Sequence, residues 1–166
     1  MKSRTYLLCF IISILAYHTA FSQEDLKDSK LVTNVFNSLK KQNEKKFLKS
    51  LPTKAEIDYL IPMVKTAQPD QNIPEADSII SNFRNKATDD FRKVIQRGSN
   101  FGVMWGDIVL QNVSYKDNPD PNVQVERRDI TLECSSHDKK FLIILKKSSK
   151  ILDEWRVMDT MKFTLL

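Results

Sequence analysis

The chain has 166 residues, 41% of them hydrophobic, and its formal net charge of +5 comes from 26 basic and 21 acidic side chains. The two signs of charge are intermixed along the sequence, whereas a nucleic-acid-binding protein concentrates basic residues on one face, so nucleic acid is not a predicted partner. Two cysteines and two histidines are too few for a typical zinc site, and neither a metal nor a cofactor is predicted.

The first 22 residues have the pattern of a secretory signal peptide. Lys2 and Arg4 give a positive start, and an apolar run follows over residues 6–17. Ala20-Phe21-Ser22 then places small residues where a signal peptidase reads the chain, just before Gln23. The run is shorter than the roughly 20 apolar residues of a membrane span. We therefore predict cleavage after Ser22, export to the periplasm or the extracellular space, and a single domain of residues 23–166; an uncleaved anchor is the alternative.

Cleavage would leave Cys134 as the sole cysteine and His137 as the sole histidine of the mature chain. No intramolecular disulfide can then form, so packing alone must hold the fold together. The loss of Lys2 and Arg4 lowers the net charge from +5 to +3. Cys134 and His137 lie three positions apart and could form a nucleophile–base pair, but no orienting acid except Asp138 and no oxyanion donors are evident. The favoured interpretation is that Cys134 is a buried core thiol.

The first half of the predicted mature chain has the apolar spacing of helices. One short helix is predicted after the cap residue Ser29, and another after Asn43. Thr53 and Glu56 have the spacing of a capping box, in which each side chain satisfies a free backbone amide of the other. That box begins a third predicted helix, which extends to about residue 65.

The longest predicted helix runs from Pro74 to Gly98. Proline suits the first turn of a helix, and glycine suits a left-handed cap at its end. Apolar residues recur along this stretch every three or four positions, at Ile79, Ile80, Phe83, Ala87, Phe91, Val94 and Ile95. Such a stripe is typical of a helix that packs on a hydrophobic core.

From residue 101 onward the apolar spacing changes from helical to alternating. Four strands are predicted, at about residues 104–115, 123–135, 140–147 and 154–165. The turns between them, at 117–121, 136–138 and 148–150, are short, so consecutive strands should pair antiparallel. Helices followed by strands indicate an α+β domain, in which N-terminal helices pack on one face of a four-stranded antiparallel sheet.

This order of elements, with the sequence Glu154-Trp155-Arg156-Val157-Met158-Asp159 near the C-terminus, resembles the cystatin-like superfold. It is similar in particular to the exported nuclear transport factor 2-like domains of Gram-negative bacteria. The resemblance implies a curved sheet that encloses a conical pocket with the helices. The sequence departs from the family before the long helix, where residues 68–73 are too few for the usual small hairpin. Catalytic residues known in some relatives have no counterpart here, and none is assigned.

Asp159 is the first candidate for such a pocket, because strand parity places it on the same face as Val157 and Met161. A carboxylate among apolar groups has a raised pKa and can exchange protons near neutral pH. The alternative is that a bulge turns Asp159 to solvent, or that a backbone or basic group satisfies it.

Trp105 and Asp107 are the other two pocket candidates, on one face of the first predicted strand. Gly102 and Gly106 flank the indole, and glycine in a strand permits a bulge or a close backbone approach. The alternative for Trp105 is an ordinary place in the core.

Three functions follow from the sequence and stay open. The favoured one is a non-catalytic binding or scaffolding domain of the cell envelope, with a small apolar ligand or an envelope protein as its partner. The second is an isomerase- or hydrolase-like enzyme that uses Asp159. The third is a protein-interaction or inhibitor module that uses an exposed strand edge. No stable membrane anchor is predicted after cleavage, and the sequence assigns no oligomeric state.

Overall fold

The structure is a computed structural model that describes residues 26–121 and 123–166. The predicted signal peptide and its cleavage position lie outside these residues. Within the two described ranges, none of the helices combines the length and the apolar character needed to cross a lipid bilayer.

Helices fill the N-terminal half of the described chain. They are α1 (Lys30–Lys40), α2 (Glu44–Phe47), which a 3-10 turn extends over Leu48–Ser50, α3 (Lys54–Ala67) and α4 (Ala76–Asn100). The predicted caps are confirmed, since Ser29 accepts a hydrogen bond from the Val32 amide at 3.3 Å and Asn43 from the Lys46 amide at 2.9 Å. The long helix begins slightly later than predicted, because Pro74 precedes its N-cap rather than opening its first turn.

The end of α4 differs from the prediction that Gly98 caps it. The left-handed residue is Gly102, with a φ of +82°. Its amide donates to Ser99 O at 2.9 Å and the Val103 amide donates to Gly98 O at 2.9 Å, which are the two bonds of a Schellman motif. Gly98 lies inside the helix, where an added Cβ would overlap Trp105 Cζ2. Gly102 is required for its left-handed backbone, and Gly98 is required because it leaves room for Trp105. The sequence pattern alone does not distinguish these two roles.

The strands form one antiparallel sheet in the order β1-β2-β3-β4, with β5 also paired to β3. They are β1 (Val109–Asp117), β2 (Arg127–Ser136), β3 (Lys139–Ile151), β4 (Glu154–Arg156) and β5 (Met161–Leu165). The predicted α+β class is confirmed, with helices on an antiparallel sheet that stays open. The predicted fourth strand is two strands, because residues 157–160 leave the ladder. The predicted first strand begins too early, since a 3-10 turn occupies Trp105–Asp107.

The predicted turn at residues 148–150 is wrong. β3 continues to Ile151, and Ser148 and Ser149 are buried within it. The chain reverses at Leu152 and Asp153, whose φ angles are +48° and +66°. Serine favours turns and leucine rarely adopts a left-handed backbone, so local preference predicts the reversal in the wrong place. The burial of β3 overrides that preference.

The core lies between the helices and one face of the sheet. Alternate residues of β2 and β3 point into it, and six of them are at most 2% exposed: Ile130, Leu132, Cys134, Phe141, Ile143 and Leu145. Helix residues of the same cluster include Val35, Leu39, Phe91 and Val94. The expected burial of Cys134 is confirmed, and apolar packing is the main stabilising term of the fold.

We expect that Gly98→Ala destabilises the protein. Alanine in a helix is intrinsically better than glycine by about 1 kcal/mol, so a loss of stability must come from overlap with Trp105. Overpacking of this kind costs roughly 1–3 kcal/mol. The measurement is the free energy of unfolding in urea. The matched control is Gly106→Ala, whose Cβ meets nothing within 4 Å and should leave stability almost unchanged. Equal stability of the two variants would contradict the tight Gly98–Trp105 contact.

Candidate ligand-binding groove

A buried carboxylate sets the position of α3. Glu56 is 5% exposed and accepts hydrogen bonds from the Thr53 amide at 2.7 Å and the Thr53 hydroxyl at 2.9 Å, which confirms the predicted capping box. Arg156 of β4 donates from Nε to both carboxylate oxygens, at 2.9 and 3.0 Å. The first turn of α3 is therefore held against the sheet by an ion pair that is largely shielded from water.

An apolar groove lies between α3, the beginning of α4 and the segment that joins β4 to β5. It consists of two adjoining cavities of about 220 and 210 Å³, which share Leu60, Val64 and Met158 as walls. Other side chains of the lining are also apolar, namely Ile57, Ile61, Ile79, Phe83, Val123 and Val125. We call this region the Met158 groove.

The break between β4 and β5 gives Met158 its direction. Val157 is 1% exposed in the core, and its amide donates to Ser50 O at 2.9 Å. The next side chain is half-buried and lines both cavities. A thioether has three rotatable bonds and adapts to irregular apolar surfaces, so Met158 suits a wall that must fit a ligand.

Asp159 lies beside the groove, and its carboxylate is paired with two lysines instead of being surrounded by apolar groups. Its carboxylate pairs with Lys86 of α4 and, at 3.4 Å, with Lys147 of β3, which itself lines the groove. Partial burial alone would raise the pKa of Asp159, but the hydrogen bond and charge of Lys86, with the charge of Lys147, outweigh burial and hold that pKa below its usual value. The raised pKa of a carboxylate held among apolar groups is therefore not found, and the favoured alternative, a basic partner that satisfies Asp159, is confirmed. Strand parity does not apply to Asp159, because residues 157–160 leave the ladder, and the sequence did not show the two lysines that other elements bring to it.

Trp105 and Asp107 are not part of the groove. Trp105 is 2% exposed, and its indole Nε1 donates to Ile95 O at 3.1 Å and to Ser99 Oγ at 3.2 Å. Asp107 is exposed and lies 3.4 Å from His137 Nε2. The shared face predicted for the two residues does not exist, because they belong to a 3-10 turn.

The structure does not bring the three candidate residues into one site. Asp107 contacts His137, just before β3 begins, whereas Asp159 contacts Lys147 near its far end. At about 3.3 Å per residue, the intervening part of β3 measures roughly 26 Å. The two carboxylates therefore lie far apart along the sheet.

The Cys134 and His137 side chains do not form a nucleophile–base pair. Cys134 points into the core, and burial raises the pKa of its thiol to about 12. His137 lies in the β2–β3 turn and is exposed. Across residues 26–121 and 123–166, the His, Cys, Asp and Glu side chains form no group of three or more that could hold a metal ion.

A further carboxylate, Asp129, fixes a bulge where β2 meets β3. It accepts hydrogen bonds from the Lys146 ammonium, the Lys147 amide at 2.9 Å and the Asn118 side chain at 3.1 Å. Burial on its own would raise the pKa of Asp129, but these donors and the Lys146 charge lower it to about 2. The bulge turns Lys147 toward the groove with a φ of +51°, so this carboxylate helps to shape the groove wall.

One residue of the sequence, Met158, indicates the groove, because it does not fit the apolar–polar alternation of the predicted last strand. Met158 falls on the otherwise polar face of the predicted last strand, between Arg156 and Thr160. An apolar residue out of phase with its strand indicates a second apolar surface or a break in the strand, and here both are present. Leu60 and Val64 follow the core spacing of α3, so their position in a groove had no separate sequence pattern.

Comparison with known proteins supports the architecture alone. No family model and no curated protein matches the chain. Among solved structures, the chain is similar to a cystatin-like protein from Ruminococcus gnavus ATCC 29149, with a TM-score of 0.54 and 13% sequence identity. The match covers 93% of this chain and 48% of that protein, so this chain spans about half its length. The fold is cystatin-like, as the resemblance implied.

We expect that Arg156→Ala strongly destabilises the protein, because it leaves the Glu56 carboxylate buried without its cation. Breaking a buried pair in this way costs roughly 3 kcal/mol or more. The control is Lys54→Ala, which removes an exposed ion pair with Asp58 on the same helix and should change stability little. Urea unfolding of both variants measures the difference. A small, equal effect would show that water replaces Arg156 at no cost.

Stability should also depend on Asp129 at low pH. Its folded pKa of about 2 lies below its ordinary value of 3.8, so its contribution is complete above about pH 4 and is lost as the pH falls toward 2. With allowance for solvent screening, that contribution is roughly 1–2 kcal/mol. The free energy of unfolding of the native protein minus that of Asp129→Asn should therefore shrink between pH 5 and pH 2.5. If this difference in the free energy of unfolding does not change with pH, the low pKa of Asp129 is contradicted.

Proposed function

We propose that this protein is an exported, non-catalytic binding domain that holds a small, uncharged apolar ligand in the Met158 groove. The proposal of export, to the periplasm or the extracellular space, is supported by the leader pattern of residues 1–22. The proposal of binding is carried by one observation, the two adjoining apolar cavities that share Leu60, Val64 and Met158.

The size and lining of the groove fit a small molecule. Taken together, the two cavities fall in the range of small-molecule sites, roughly 300–1,000 Å³. Val64, Ile79 and Phe83 are only partly buried. Covering apolar surface gains roughly 25 cal/mol per Å², so an occupant of the groove would be bound mainly by the hydrophobic effect.

The charges around the groove favour a neutral ligand over an anion. Arg127 at the rim is paired with Asp120, and Lys147 is paired with Asp159. A ligand carboxylate would have to compete with these internal partners for the two cations. A neutral apolar molecule meets no such competition.

The enzyme alternative has less support than the binding proposal. It needs a carboxylic acid that exchanges protons near neutral pH, and the lysines around Asp159 keep its pKa below the ordinary value. An ionised, ion-paired carboxylate is instead a structural link between α4, β3 and the segment before β5. The interaction alternative concerns a different surface, the free edge of β5.

Binding can be tested with 1-decanol and decanoate, which have the same chain length and differ in charge. We expect 1-decanol to raise the melting temperature, with a shift that grows roughly with the logarithm of its concentration above the dissociation constant, and decanoate to raise it less. Val64→Glu should abolish the shift, because it places a charge in the groove wall. The control, Tyr59→Glu, changes an exposed residue of the same helix outside the lining and should keep the shift. No shift, or the same shift in both variants, would contradict the proposal.

A further inference from the structure

The last strand has a free edge whose direction follows from its hydrogen bonds. Lys146 N donates to Thr160 O at 2.9 Å, and Leu166 N donates to Lys140 O at 2.9 Å. Backbone groups of an antiparallel strand point alternately to the two sides, so residues 160, 162, 164 and 166 face β3. The N–H and C=O groups of Met161, Phe163 and Leu165 therefore point away from the sheet. Within the described residues, β5 pairs with no strand except β3.

One contact confirms that direction. The Met161 amide donates to Asp90 Oδ2 of α4 at 3.3 Å, which is possible only if it points away from β3. Asp90 thus occupies the first outward amide of the edge. The outward groups of Phe163 and Leu165 follow along the strand toward its C-terminal end, where Leu165 is 37% exposed.

A cleft of about 420 Å³ runs between this edge and the second half of α4. Lys93 and Arg97 line it from the helix and Lys162 from the strand, against the single acid Asp90. None of the three cations contacts an acidic side chain in the part of the chain that the structure describes. The cleft therefore has a net positive charge, which the single carboxylate of Asp90 only partly offsets.

We propose that the α4–β5 cleft binds an extended acidic segment of a partner protein, which adds to β5 as a further strand. The outward backbone groups of Phe163 and Leu165 supply the pairing that an extended chain requires. Lys93, Arg97 and Lys162 supply attraction for acidic side chains on that chain. This site is separate from the Met158 groove and does not depend on a ligand there.

A second copy of this chain is a poor occupant of the cleft. Pairing two β5 edges would bring Lys162 and its neighbouring cations from both copies together, and like charges opposite each other destabilise a strand pair. Basic residues on an edge strand are a known means of preventing self-association. The same positive charges attract an acidic chain. They therefore disfavour a second copy of this chain and favour an acidic partner.

The proposal can be tested with a fluorescein-labelled ten-residue peptide of alternating glutamate and valine. We expect saturable binding by fluorescence anisotropy that weakens as salt rises. In the presence of peptide, hydrogen exchange measured by NMR should slow at the amides of Phe163 and Leu165. Absence of that protection at millimolar peptide, or protection of β1 amides instead, would overturn the proposal.

Three variants, one of them a control, separate charge from backbone pairing. Arg97→Glu with Lys162→Glu should weaken peptide binding at least tenfold, while Lys116→Glu on the edge strand β1 should change it less than twofold. Leu165→Pro removes an outward N–H that β3 does not use, so the fold should persist while binding falls at least tenfold. If Leu165→Pro does not fold, the charge variants still decide the outcome.

A modified peptide tests whether the occupant must be an extended chain. N-methylation of four consecutive central residues removes backbone donors and leaves the glutamate charges in place. We expect this peptide to bind at least tenfold more weakly than the unmodified one. Equal binding of the two peptides would mean that the cleft attracts any polyanion, and the strand-addition proposal would then be wrong.

Discussion

The Glu56 carboxylate, shielded from water by Thr53 and Arg156, holds α3 in place, and the groove exists because α3 is in place. Breaking this arrangement would leave a buried charge without a partner, which is far more costly than the loss of an exposed ion pair. The same carboxylate begins the helix with a satisfied capping box and joins it to β4. Local helix chemistry and tertiary packing therefore depend on one side chain.

Among the contacts that hold α4 in place, two lie at different points along the helix and involve candidate residues, Trp105 and Asp159. Near its C-terminal end, the absence of a side chain at Gly98 lets Trp105 approach the helix backbone, and the indole is hydrogen-bonded there. Near its middle, Lys86 reaches Asp159 in the segment that separates β4 from β5. The first contact belongs to the core. The second lies beside the groove, so the carboxylate that resembled a catalytic acid in the sequence is part of the framework.

The sequence was sufficient for the class of fold and for features that depend on neighbours in the chain. The caps at Ser29 and Asn43 and the capping box at Thr53 need only residues a few positions apart, and they were predicted correctly. The turn after β3 was not, because it depends on burial, and the sequence left the pKa of Asp159 open because its two lysine partners are distant in sequence. Two of the candidate residues, Trp105 and Asp107, shared a strand face in the sequence. In the structure both residues lie in a 3-10 turn, so they do not share a strand face.

The ion pair between Glu56 and Arg156 joins residues that are 100 positions apart. Contacts across such a long loop carry a large entropic cost and form slowly, whereas the β2–β3 hairpin and the helices need only local contacts. We therefore expect the wall formed by α3 to dock late in folding, after the central strands have paired. A nascent chain would acquire the Met158 groove only once Arg156 and Met158 had been synthesised and could reach α3.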